Sequence, residues 1–427
     1  MLLLFALLLP VALPNEAIPA SERDGSRFGR AVLALGDLDG DGIRDIAVGA
    51  PTAVDQSGRV LVLSGADRSV LAVWEGQEGR PTFGHTLRTA GDVDGDGRDD
   101  VLVGHEFGAR TEVRSGVSGK QLTAFDRRES EVHAFGDLDG DDRDDLLLTT
   151  DASWEVRCGE DGSFVAGPTF VRTEGAFHPV GDINGDGLTD GVLIGDETYL
   201  CRTTRSGAKR FLRRNPIPFE RQQPIAKIWS QGLPKGAFET VRAAPAGDLD
   251  GDGSPDFVLA IRQEGRAAEG PGSRFRVAAL SVAEPGPPLW VVEERTDPLH
   301  DLEDGYGYAS ARPGDLDGDG VDDLILARAV QVFDVRAEVR ASAEGVRKWK
   351  LDDLDVGYMT GLSLATYDDH DGDGTPDILV GTSDWYWHGI VGRGGQVTLL
   401  SGKTGERLWS VGEADLEAHL GPVKKEK

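Results

Sequence analysis

Residues 36–45 read GDLDGDGIRD, which puts the carboxylates Asp37, Asp39, Asp41 and Asp45 within nine residues. Like charges that close repel one another unless a cation sits among them. In a tight loop, side chains at positions 1, 3 and 5 converge on one point. Glycines at positions 4 and 6 supply backbone conformations that other residues resist. Position 7 offers its carbonyl, and the aspartate at position 9 closes the cage. Hard oxygen donors in that number suit Ca²⁺ better than Mg²⁺, which keeps several waters. Zinc would want His or Cys, and neither recurs in the pattern.

The pattern occurs seven times. After the first copy come Asp92, Asp94, Asp96, Asp100; Asp137, Asp139, Asp141, Asp145; and Asp182, Asn184, Asp186, Asp190. Then follow Asp248, Asp250, Asp252, Asp256; Asp315, Asp317, Asp319, Asp323; and Asp369, Asp371, Asp373, Asp377. One such run could be an ordinary Asp/Gly turn, but seven in one chain call for a shared ligand, about seven structural Ca²⁺ ions. Of the 28 ligand positions 27 are Asp, so without them the net charge of −29 would stand near −2. The acidity therefore belongs to the loops. It also disfavours nucleic acid and anionic membranes as partners. The third loop has Asp142 where the other six have glycine.

An EF-hand would need a bidentate Glu at position 12 and flanking helices. Position 12 here is Val48, Val103, Leu148, Leu193, Leu259, Leu326 or Val380. The runs that follow the loops (IAVGA, VLVG, LLLT, GVLIG, FVLA, LILA, ILVG) are short, apolar and bounded by turn residues, which predicts buried strands. Further strand-like stretches, such as GRVLVLSG and SVLAVWEG, complete each repeat. The predicted fold is all-β: a seven-bladed β-propeller of four-stranded antiparallel blades, with Ca²⁺ loops between strands 1 and 2. Loop starts are 55, 45, 45, 66, 67 and 54 residues apart. The surplus in the longest is too small for another blade, so it is assigned to loops around 214–236 and 294–305.

Phe28-Gly29 before the first loop and Gly49-Ala50-Pro51 after it match the FG-GAP repeat; Phe83-Gly84 repeats the first element, and Tyr306-Gly307 echoes it. Over roughly residues 27–413 the chain resembles the calcium-binding propeller of integrin alpha chains and related bacterial secreted repeat proteins. The resemblance implies Ca²⁺ held in the loops that join the first and second strands of each blade.

Residues 1–20 carry an apolar run from Leu2 to Leu13, too short to span a bilayer but suited to a signal peptide. Residues 21–427 are then a single propeller in a secreted, periplasmic or cell-surface protein, with no membrane span. Cys158 and Cys201 end the third strands of adjacent blades and are expected as two thiols, since a disulfide needs Cα atoms within about 7 Å.

Strand alternation puts all the acidic loops on one face and the variable loops on the other, where binding surfaces specialise. There SDWYWHGIVGRGG presents Trp385, Tyr386, Trp387 and His388 as candidate contacts for a protein or carbohydrate ligand, or as packing at a blade's end. No zinc-binding H-E-x-x-H, G-x-S-x-G elbow or P-loop occurs; the weak acid–base candidate is His300 beside Asp301. The expected function is an exported calcium-binding module for binding or adhesion, with no catalytic residues. The alternatives are a carbohydrate-active enzyme (lyase or hydrolase) and a purely structural extracellular repeat protein.

Overall fold

The apolar run behind each acidic loop becomes the second strand of a sheet, where it has a partner on either side and packing on both faces. IAVGA and DVLVG are buried at every residue, as continuous rather than alternating apolar patterning requires. This computed structural model describes residues 26–53, 56–106, 109–126, 131–150, 153–166, 175–195, 198–203, 219–224, 238–263, 274–282, 288–295, 309–331, 334–341, 346–350, 359–384 and 395–420.

The first sheet comprises β1 (Ala31–Ala34), β2 (Ile46–Ala50), β3 (Arg59–Leu63) and β4 (Val70–Glu75), and the second β5 (Thr86–Gly91), β6 (Asp100–Gly104), β7 (Thr111–Arg114) and β8 (Gln121–Phe125). The third holds β9 (Glu131–Gly136), β10 (Asp145–Thr150), β11 (Ser153–Arg157) and β12 (Phe164–Ala166), and the fourth β13 (Gly175–Gly181), β14 (Asp190–Gly195), β15 (Thr198–Thr203) and β16 (Phe219–Pro224). The fifth runs β17 (Phe238–Gly247), β18 (Asp256–Gln263), β19 (Arg274–Leu280), β20 (Trp290–Arg295), and the sixth β21 (Ala309–Gly314), β22 (Asp323–Gln331), β23 (Asp334–Ala341), β24 (Val346–Lys350). β25 (Met359–Tyr367), β26 (Asp377–Asp384), β27 (Gln396–Leu400) and β28 (Arg407–Gly412) make the last.

Among the described residues these form seven four-stranded sheets, each an antiparallel meander in which sequence neighbours are sheet neighbours. First strands lie side by side, β1 by β5, β5 by β9, β17 by β13 and by β21, and β25 by β21; β25 also lies against β1. The architecture is an all-β propeller with antiparallel four-stranded blades.

Two expectations need correction. The stretch 214–236 is not wholly a loop: Phe219–Pro224 pairs with β15 as the fourth strand of its sheet. Its polar sequence, FERQQP, hid a strand that pairs at an outer edge of the sheet. The chain also ends β28 in a helix, α1 (Glu413–Leu420), which strand patterning did not foresee. Acidic residues in its first turn favour the helix N-terminus, and Asp415 reaches back to accept from the Gly412 N–H (2.8 Å). Leu416 then enters a core cluster shared by the first and last sheets, with Phe28, Ile46, Leu61, Leu379 and Leu399. Glu413 accepts from the Arg59 guanidinium (2.8 Å) and from the Ser26 hydroxyl, joining the two ends of the described chain.

The paired glycines explain how neighbouring sheets approach. Phe83 is fully buried between the first two sheets, among Ala47, Val60, Trp74 and Val101. A Cβ on Gly49 would stand 2.0 Å from the Gly84 carbonyl oxygen, so the two repeats meet backbone to backbone. The last and first sheets repeat the arrangement, since a Cβ on Gly381 would lie 2.5 Å from the Gly29 carbonyl oxygen. Cys158 and Cys201 are both free thiols. No helix among the described residues is long and apolar enough to cross a membrane.

Candidate metal centres

Each acidic loop leaves the first strand of a sheet and returns as the second. The position-1 aspartate organises it. In the first loop, Asp37 Oδ1 accepts from the N–H groups of Gly40 (2.7 Å) and Asp41 (3.2 Å), and Oδ2 from that of Gly42 (2.9 Å). The same wrapping recurs around Asp92, Asp137, Asp182, Asp248, Asp315 and Asp369. Such donors favour the carboxylate; the Gly42 and Gly374 N–H groups above all hold Asp37 and Asp369 below the usual aspartate range. Position 5 in turn accepts from the position-7 N–H, as Asp41 does from Ile43 (2.8 Å).

This winding demands a left-handed backbone twice per loop. Position-4 glycines have φ between +74° and +87°, and the six position-6 glycines between +83° and +91°. Asp142 occupies the remaining position 6 at φ +65°. Nothing lies near a Cβ built on Gly42 or Gly320, so the requirement is conformational and not a matter of space. A non-glycine residue there costs about 1 kcal/mol. Asp142→Gly should therefore stabilise the protein by about that amount and tighten cation binding in the third loop. Calorimetric titration against wild type checks both, and an unchanged or weaker third loop would count against the argument.

Position 9 does more than close a cage. Asp45 is fully buried, with Oδ2 accepting from the Leu38 N–H (2.7 Å) and Oδ1 from the Gly65 N–H (3.2 Å). Asp100 ties Val93 to Gly116 and Asp377 ties His370 to Gly402 in the same way. This aspartate thus fastens the loop to the turn after the third strand. Burial pushes its carboxyl up, to about 6 for Asp100 and about 7 for Asp145, Asp190 and Asp256. Without a cation, a buried carboxyl in that range takes up a proton at a higher pH than an exposed aspartate does.

Some of the sequence-derived carboxylates gather, three to a loop. Carboxylate oxygens of Asp37, Asp39 and Asp41, and of Asp92, Asp94 and Asp96, lie within 4.8 Å of one another. In the loops from Asp137, Asp248 and Asp315, positions 1 and 3 gather with position 9 instead. In the fourth loop Asn184 Nδ2 donates to Asp190 Oδ2 (3.0 Å), so one ligand position there relieves negative charge. An all-oxygen donor set of this density fits a hard divalent cation. Trp385, Tyr386, Trp387, His388, His300 and Asp301 lie outside the described residues.

Sequence reasoning passed over position 8. Asp144 and Asp322 each reach the preceding repeat's loop, 52 and 74 residues back in the chain. No pattern of spacing within one repeat signals such a link.

Four-stranded meanders, arranged with their first strands side by side and with wrapped acidic loops between strands 1 and 2, define a β-propeller with candidate cation loops. Within it, residues 28–63 match the FG-GAP repeat model. Beyond that repeat, the chain resembles integrin alpha chains. It is 41% identical to integrin alpha-V of Gallus gallus over 97 residues, 21% of this chain and 9% of that one. It is 42% identical to integrin alpha-5 of Xenopus laevis over 107 residues, 23% of this chain and 10% of that one. The matched stretches thus span about a tenth of these relatives. Among solved structures, the V. cholerae biofilm matrix protein Bap1 matches at 14% identity and a TM-score of 0.42, covering 89% of this chain and 79% of that one.

Proposed function

We propose that the chain is an exported, calcium-loaded, seven-bladed propeller that serves as a non-catalytic binding or adhesion module for a protein or carbohydrate ligand. The observation that carries the calcium reading is the recurrence of one wrapped loop in every described sheet, with three acidic oxygen donors gathered within 4.8 Å in the loops from Asp37, Asp92, Asp137, Asp248 and Asp315. Each loop takes one Ca²⁺ through positions 1, 3, 5 and 9 and the position-7 carbonyl. The ion is structural: it offsets the clustered carboxylates and fixes the strand 1–2 turn. The resemblance to integrin alpha chains supports a binding role and a location outside the cytoplasm.

The ligand surface is then the face opposite the acidic loops, free of metal-imposed geometry, with Trp385, Tyr386, Trp387 and His388 as its anchors. Aromatic anchors commonly account for about 2 kcal/mol or more each when truncated. Glycan and protein arrays probed with the calcium-loaded protein should show capture that Trp385→Ala with Trp387→Ala abolishes, at unchanged calcium content and folding. Capture that survives the double substitution would move the surface to the other loops of that face.

A further inference from the structure

The acidic loops touch their neighbours through position 8. In the third loop the Asp144 N–H donates to the Asp92 carbonyl (2.8 Å), and Asp144 Oδ2 accepts from the Asp92 N–H (2.9 Å). The sixth loop repeats both bonds on the fifth: Asp322 N–H to Asp248 carbonyl (2.8 Å), and Asp248 N–H to Asp322 Oδ2 (2.9 Å). Both main-chain groups of a position-1 residue, the one whose carboxylate organises its loop, are thus held by the following repeat. Not every loop can form this latch. Position 8 of the fifth and seventh loops is Pro255 or Pro376, which has neither an N–H nor a carboxylate.

We propose that Asp144 and Asp322 couple the cation loops in pairs. Resting on the calcium reading above, a cation in loop 137–145 strengthens binding in loop 92–100, and one in loop 315–323 strengthens binding in loop 248–256. The route is short. Position 8 lies between the position-7 carbonyl and the position-9 aspartate, so ordering its own loop around a cation fixes it. Fixed, it holds the main chain of the partner's position 1 in the geometry that wraps the carboxylate. The coupling is reciprocal, as linked equilibria require, and of the usual size it changes affinity about tenfold. Asp144 and Asp322 are positioning residues and need not touch a cation themselves.

The test counts ions on the full chain by native mass spectrometry across a series of free Ca²⁺ concentrations. One variant disables the third loop through Asp139→Asn and Asp141→Asn while leaving Asp144; another disables the seventh through Asp371→Asn and Asp373→Asn. At the lowest calcium that fills wild type, disabling the third loop should remove two ions, the second returning at about tenfold higher calcium. Disabling the seventh should leave the sixth loop filled. Asp144→Ala should weaken the second loop similarly, and Asp144→Asn, which keeps an oxygen acceptor, should restore it. If wild type fills its loops and the third-loop variant loses a single ion at every concentration, the latch is overturned and the metal reading stands. If wild type binds no calcium, both fall.

Discussion

Removing divalent cations should leave the protein unfolded, or without fixed packing, at neutral pH and room temperature. A ligand that binds only the folded state stabilises it by about 2.7 kcal/mol at a hundredfold excess over its Kd. Several such loops together exceed the roughly 5–15 kcal/mol by which a typical protein is stable. Acidity adds to the effect in the metal-free protein. Asp145, Asp190 and Asp256 are pushed up to about 7 by burial, above the about 3.9 of an unfolded aspartate. They bind protons more tightly folded than unfolded, so their contribution to metal-free stability declines as pH rises from about 4 to about 7. Chelated, desalted protein should thus regain at pH 5 a melting transition that it lacks at pH 7.5. The calcium-loaded protein should show the opposite trend, because protons compete with the cation. Circular dichroism melting with and without Ca²⁺ at both pH values checks this, and melting that ignores chelation would sink the metal reading.

Gly49→Ala should be strongly damaging, costing about 3 kcal/mol, the upper part of the usual overpacking range. The added Cβ would meet the Gly84 carbonyl oxygen at 2.0 Å, and backbone cannot rotate aside as a side chain can. Relief would require the two sheets to part, loosening the cluster of Ala47, Val60, Phe83 and Val101. Gly79→Ala is the control: it lies at φ +77° with nothing near its Cβ, so it should cost only about 1 kcal/mol. Urea unfolding in saturating calcium separates the two. Equal losses would show that the close approach of Gly49 to Gly84 carries no special strain.

The acidic loop is legible in nine contiguous residues. Position 1 is wrapped by N–H groups three to five residues ahead, and positions 4 and 6 need glycine for their φ alone, so spacing and residue type determine the local geometry. The runs after the loops were equally plain, because a strand covered on both faces must be apolar throughout. Legibility fails where no continuous apolar run marks the element. FERQQP looks like loop yet is an edge strand, and EADLEAHL became a helix through a local cap and the docking of one leucine.

What the tertiary structure alone decided is which residues from different repeats meet. Composition explains why Gly49 and Gly84 are small; the Gly84 carbonyl reaches Gly49 only when two sheets stand at the packing distance Phe83 sets. Asp144 and Asp322 sit in loops already rich in aspartate, with nothing in their own repeats to mark them out. Their task depends on a neighbour 52 or 74 residues earlier, brought alongside by the succession of first strands. Short-range chemistry is written in the chain because its partners are covalently tethered. Meetings between repeats are set by how whole sheets pack, and one repeat's sequence contains no record of where its neighbour will stand.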